Sequence, residues 1–524
     1  MKPVSMVVAA VGVVLVAGIV WVLGPGARWV LEHIDGVTIG GPAGLVGKDL
    51  AAALDAVRGR VLAVATGLAA LVAVYYTARN ADTARRTFQL GERGHVTDRY
   101  GKAVEQLGSA QAPVRLGGLY ALDQLGQDNP SPALRQTIVD VICAYLRMPY
   151  TPPLDQTGQS EPAEPGAVDS GVSAPVARDP HEERQVRLTA QRVLTAHLRY
   201  EDPPAHRWWQ PSTADPNARH WTDVRLDLTG ATLLDFDLNR CRVGDAGFDK
   251  ATFSGDAVFD GATFTGHARF DKATFTGDAW FGEATFSSVA WFDKATFTGQ
   301  AGFGKVTFTR EARFGKVTFT GDARFTKATF SSVAIFDKAT FTRNTDFGKV
   351  TFTRDAWFGE ATFTRDAGFG EATFTGDVWF GKATFTGHAR FDMATFTGHA
   401  RFDKVTFTRG AMFDGATFTR DAGFREATFT RVAGFGKATF TGHARFDMAT
   451  FTGDTWFSQA KGLEAALLVG VRVTPAAAGV RWVWPPCWRV EADADGWRTL
   501  RLAEPEPGST AGGEKEGPTG AAEG

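Results

Sequence analysis

The decapeptide GGPAGLVGKD, from Gly40 to Asp49, comes closest in this chain to a motif that does chemistry. Glycines ahead of a lysine fold loops whose backbone N–H groups cradle phosphate. Here five residues rather than four separate Gly41 from Gly47, and Asp49 stands where a Ser or Thr hydroxyl is needed for Mg2+. Nucleotide binding therefore does not follow. His267, His388, His399 and His443 occupy one position of a repeat and raise the question of a metal site; whether they meet depends on the geometry of that repeat. Cys143, Cys241 and Cys487 are the 3 cysteines, far apart and without CxxC spacing, so neither a disulfide framework nor a zinc knuckle is indicated, and a reducing compartment is expected.

The elements that position these residues differ sharply along the 524 residues, too many for one compact core. The net charge of −2 gives no global attraction to nucleic acid or acidic lipid. Nearly all of the 41 Phe follow residue 235, whereas all 7 Tyr precede residue 201. Val4 to Leu23 carries no charge and is long enough, at ~1.5 Å per residue, to cross a hydrocarbon layer of roughly 30 Å. It reads as a transmembrane helix rather than a cleaved signal peptide, because only Lys2 precedes it and no small-x-small site follows. Val61 to Tyr76 reads as a second span ending in an interfacial Tyr pair, which makes residues 1–77 a transmembrane hairpin. Arg79, Arg85, Arg86, Arg93, Arg99 and Lys102 follow the second span, so a multi-pass membrane protein with both termini in the cytoplasm is expected.

Residues 78–148 show helical spacing, as in Leu116, Leu119, Leu122 and Leu125, and Ser131-Pro132 marks a helix start. Residues 149–179, rich in Pro, Gly, Ser and acidic residues, read as a disordered linker. A further helix over 180–200 presents Val186, Ala190, Val193, Leu194 and Leu198 on one side, for packing on the earlier helices.

From Leu228 to Phe253 an apolar residue recurs every five positions; thereafter the Phe spacing alternates six and five, and ATF or VTF returns every eleven residues until Phe451. No helix keeps Phe on one face at that beat, whereas a coiled strand does, its alternate side chains pointing inward. The pattern resembles the pentapeptide-repeat family. That resemblance implies a right-handed quadrilateral β-helix over residues 226–460, one five-residue piece per side and 22 residues per coil, with the extra residues at two opposite corners. About ten coils at ~4.8 Å give a rod on the order of 50 Å. Residues 201–225, with Trp208, Trp209 and Trp221, are expected to cap the first coil, and 461–503, with Trp482, Trp484, Trp488 and Trp497, the last; 504–524 reads as a disordered tail. VTDRYGKAVEQLGS and VRLGGLYALDQL also resemble the helical segment of membrane-anchored pentapeptide-repeat proteins from high-GC, actinobacterial-like bacteria.

In such a coil His388 and His399 fall at opposite corners, and His399 and His443 lie two coils, ~10 Å, apart, so no metal site is expected. Glu and Asp in FGEATF and FDKATF alternate with Lys at turns and suit surface ion pairs rather than acid–base work. No cofactor and no enzymatic activity are expected. Two functions fit the family: a membrane-tethered scaffold for protein–protein interaction, and a DNA-mimic inhibitor or regulator of a type II topoisomerase. Mimicry needs an acidic rod, yet residues 246–457 hold 25 Lys and Arg against 23 Asp and Glu, so the scaffold is favoured and no nucleic acid is expected. The 22-residue coil would stack Arg313, Ile335, Trp357, Trp379 and Arg401 on one face. Two readings of that strip are open: a docking site for an unidentified protein or a second copy of the rod, or Trp rings that merely shield neighbouring Thr.

Overall fold

A computed structural model describes residues 3–41, 43–153, 179–201, 215, 217–474, 479–493 and 496–503, with side chains omitted for 3–11 and 86–93. Residues 154–178 of the expected linker, the tail, and the expected cap residues Trp208 and Trp209 lie outside the described residues. The chain divides into two compact units, Met1–Asp98 and Arg99–Gly524.

In the first unit, helix α1 (Pro3–Leu23) meets α2 (Gly26–His33), and the apolar parts of the pair are bent by 82°. Gly26 permits the bend, since a Cβ there would lie 2.6 Å from the Trp21 ring. The stretch between the two expected spans is folded. Ala27 and Leu31 of α2 bury against Val57, and Ile39 bridges Leu45. Helix α3 (Gly47–Leu107) then runs 61 residues, much longer than the span expected at 61–76. Its part Gly47–Arg85 is long and apolar enough to cross a membrane. A second crossing would require the bent pair to count as one span.

The second unit holds α4 (Ala112–Asp128), α5 (Pro132–Leu146), α6 (Pro180–Leu198) and the repeats. Ser131 sits at the α5 start but makes no side-chain cap bond, whereas the Asp179 carboxylate accepts from the His181 N–H at 2.8 Å. The helices are clasped by a buried ion cluster. Glu183 receives Arg115 at 3.1 Å, Arg187 at 3.0 Å and the Tyr145 hydroxyl at 2.8 Å. Arg187 also donates to the Leu146 and Met148 carbonyls.

The repeats form a four-sided β-solenoid of about eleven coils, in which two sides carry Thr-Phe pairs and two carry Ala followed by a variable residue. Each strand pairs in parallel with its equivalent 22 residues on, as in Thr285↔Thr307 and Ala290↔Ala312. Inside, each Phe stacks on its equivalent 22 residues away at 4.4 to 5.2 Å, and neighbouring columns meet edge to face, as Phe281 meets Phe292 at 5.6 Å and 88°. Such offset and T-shaped contacts suit the ring quadrupoles. Small Ala or Val beside each Phe leaves room for four rings per coil.

One turn per half-coil runs Phe-X-Lys/Glu-Ala, closed by a bond such as Ala284 N–H to the Phe281 carbonyl at 3.1 Å. Its third residue is left-handed although it is rarely glycine: Glu283 has φ +58, Lys294 +61 and Lys327 +60, while Gly261 and Gly415 fill two equivalent positions. Positive φ at that place defines a type II turn, which normally selects Gly.

Helices α5 and α6 cover the first coil together with the described end of the expected cap, whose Val224 carbonyl accepts the Gly244 N–H at 2.8 Å. The Gln191 side-chain amide pairs with the backbone of Leu234, donating to its carbonyl at 2.6 Å and accepting from its N–H at 2.9 Å. Gln136 does the same for Arg225. Arg147 and Arg184 reach Asp227 and Asp235. Trp221 instead stacks on His197 at 3.9 Å and lies under Arg135, within the helices. The physical reason is that the unpaired edge of the first coil needs donors and acceptors, which helix-borne amides supply and an indole ring does not. At the other end Trp484 and Trp488 pack on Phe457 at 5.9 and 5.0 Å, and a hairpin of Trp488–Ala492 with Arg498–Leu502 covers the last coil.

Candidate interaction face of the solenoid

Sequence register alone sets which side chains meet on the outside. On one Ala side the variable residues pair in the order Arg313↔Ile335↔Trp357↔Trp379↔Arg401, each bonded coil to coil through its backbone. All five therefore share one face. The Trp357 and Trp379 rings are 5.0 Å apart and tilted by 54°, and the Arg401 guanidinium lies 5.7 Å from the Trp379 ring. Trp357 is 41% exposed, while Ile335 and Trp379 are half-buried. Arg313 is held by Asp293 at 3.0 Å and Glu311 at 3.6 Å.

The opposite side treats its tryptophans differently. Trp280 lies over Gly302, where a Cβ would come within 2.7 Å of the ring. Trp456 lies over Gly434 at 2.9 Å by the same measure and donates its indole N–H to Asp414 at 3.2 Å. A glycine one coil away gives those rings a bed of backbone, the arrangement by which aromatics protect sheet glycines. Trp357 has Ile335 and Trp379 as its coil neighbours and no such bed. The Gly 22 residues from Trp280 and from Trp456 was the sequence signal that distinguishes the two sides.

The corners hold a second feature absent from the sequence reading. At several corners where the extra residue is Asp, its carboxylate accepts the backbone N–H one coil further on: Asp245 from His267 at 2.8 Å, Asp366 from His388 at 3.0 Å, Asp377 from His399 at 2.8 Å and Asp421 from His443 at 3.2 Å. The four corner histidines are thus stapled by their backbones. His399 and His443 both turn Nδ1 toward Asp421, at 3.9 and 3.1 Å, and among the described residues no group has the make-up of a metal site. Turn residues pair across coils, as Lys305 with Glu283 at 2.7 Å and Lys404 with Glu426 at 3.4 Å. Burial pushes the Cys143 and Cys241 thiols up to about 12, so neither is poised as a nucleophile.

Residues 238–461 match, in five overlapping stretches of 238–285, 281–329, 325–373, 369–417 and 413–461, the family model described as Pentapeptide repeats (9 copies). The solenoid is a pentapeptide-repeat domain. Comparison with curated proteins and with solved structures found no match. A pentapeptide-repeat solenoid suits an interaction scaffold, because the repeat fixes a long, rigid, patterned surface.

Proposed function

We propose that this protein is a membrane-tethered scaffold whose pentapeptide-repeat rod presents the face around Trp357 to a protein partner or to a second copy of itself. The observation that carries the reading is the contrast between the two Ala sides: Trp280 and Trp456 rest on glycines, while Trp357 stands 41% exposed between Ile335 and Trp379, with Arg401 beyond. Exposed aromatics beside Arg have the composition of interface hot spots. The tether is supported by the apolar length of Gly47–Arg85. The cations that follow, from Arg79 to Lys102, favour a cytoplasmic side for the chain beyond that segment, and with the N-terminal apolar stretch as a second span both termini are cytoplasmic.

Trp357→Ser with Trp379→Ser, in the full chain expressed in its native membrane, should abolish co-purification of specific partners and leave circular dichroism unchanged. Trp280→Ser serves as the control. Retention of every partner by the double variant, or loss caused by unfolding, would overturn the face. Reporters after Gly524 and near Gly40 test the topology: the first should be cytoplasmic and the second should not.

A further inference from the structure

The turn residues of one corner form a column unlike its counterpart. Lys250, Lys272, Lys294, Lys316 and Lys338 recur every 22 residues, all exposed, and so line up over four steps of ~4.8 Å, about 19 Å. On the other corner the sequence is mixed, with Glu283 pairing Lys305 and Glu371 pairing Lys349. Of these five lysines only the last is ion-paired among the described residues, Lys338 with Glu360 at 3.6 Å, and the next pair on this corner is Lys404 with Glu426 at 3.4 Å. Each of the five lysines also sits at φ +57 to +61, in the turn position where Gly261 and Gly415 show that glycine serves. Five successive lysines thus accept both backbone strain and like-charge repulsion.

The column borders a groove that it shares with Arg269 and Arg313 of the Trp357 face and with Ile335 at its end. The groove also contains carboxylates, and they oppose anion binding. Seven cationic side chains line it against four carboxylates. Two of the four are neutralised locally, Asp249 by Arg269 at 3.1 Å and Asp293 by Arg313 at 3.0 Å. Asp271 and Asp337 turn inward to the backbone of the next coil, accepting from Asp293 N–H at 3.1 Å and Gly359 N–H at 2.7 Å. The outermost charge is therefore the lysine line.

We infer that this corner docks the rod against an anionic lipid bilayer. A straight row of cations matches a plane of negative headgroups. A bilayer is also the polyanion the chain itself keeps nearby, if the tether of the proposed function holds, and the inference rests on that reading for its choice of occupant.

The test uses the full chain reconstituted in vesicles with the solenoid outside, followed by amine acetylation read residue by residue. With phosphatidylglycerol in the vesicles, Lys272, Lys294 and Lys316 should label several-fold more slowly than in pure phosphatidylcholine, and high salt should erase the difference. Lys305, Lys327 and Lys349 should not change. Lys272→Gln, Lys294→Gln and Lys316→Gln together should free the neighbouring Lys250 and Lys338, whereas Lys→Arg at the same three positions should keep them protected. Equal labelling in the two lipids, or protection by soluble heparin but not by phosphatidylglycerol, would overturn the bilayer as the occupant. Alkaline carbonate extraction reports on the tether separately: release of the chain would sink the tether, and the footprint on added vesicles would still decide the corner.

Discussion

Lys327 offers the cleanest measure of the strain built into the turns. It has φ +60, its N–H is bonded to the Gly348 carbonyl at 3.0 Å, and no ion pair among the described residues involves it. A left-handed non-glycine residue costs roughly 1–2 kcal/mol. Replacement by Gly removes that cost but adds about 0.5–1 kcal/mol of unfolded-chain entropy. Lys327→Gly should therefore stabilise by about 0.5–1 kcal/mol, a rise in melting temperature of roughly 2–4 °C per kcal/mol for a domain this long. Lys327→Ala should be nearly neutral, and Lys327→Val should destabilise by about 1 kcal/mol or more, since a branched Cβ crowds the left-handed backbone. The assay is strand circular dichroism during melting of the full chain in detergent, with hydrogen exchange at residue 327 as the local readout. The expected order is Gly above Lys and Ala, and Val last. A stable Val variant together with a weakened Gly variant would show that the turn is not strained and that the lysine itself holds it.

Two further predictions concern buried charge. Glu183→Gln strands Arg115 and Arg187, both at most 1% exposed, without their carboxylate, and should cost about 3–5 kcal/mol; helix melting within experimental error of the native chain would refute the clasp. At Asp337, burial raises the carboxyl above its ordinary 3.8 against the opposing bond from Gly359 N–H. A raised folded-state value means that the fold favours the protonated form, so the destabilisation is full at neutral pH and fades as pH falls through that value. Asp337→Asn keeps an oxygen to accept the Gly359 N–H and should raise the melting temperature at pH 7, with the gain shrinking in acid. A gain that grows on acidification would contradict this sign.

What the residues disclosed follows how local each signal is. The Phe and Ala beat is strictly periodic, so the eleven-residue unit follows from counting, whereas the four sides and the 22-residue coil, and with them the membership of the Trp357 column, came from the family resemblance. Left-handed turns escaped notice because Lys and Glu hide a conformation that Gly normally advertises, although Gly261 and Gly415 at the same places betrayed it. The Glu183 clasp joins Arg115, Tyr145 and Arg187 across the helices, and spacing along one helix cannot disclose such a meeting. The helical lid on the first coil was missed for a related reason: Gln136 and Gln191 look like ordinary surface glutamines until the sheet edge they satisfy is in place. In the membrane segment, hydropathy marked Val61 to Tyr76, yet α3 continues far beyond it, because helical order outlasts the apolar run.

The coil and the repeat unit differ by a factor of two, and heredity works on the smaller one. ATFTGHARFD occurs from Ala262, Ala383, Ala394 and Ala438. Its histidines at 267, 399 and 443 stand on one edge of the rod, and the copy at 388 stands on the other, because it is displaced by an odd number of half-coils. Duplication or loss of a single eleven-residue unit would leave the stacked interior intact while turning everything beyond it by half a revolution. A gene built of such units can therefore change which side of the rod a tryptophan or lysine faces without altering that residue, and only a gain or loss of paired units lengthens or shortens the rod while preserving its surface.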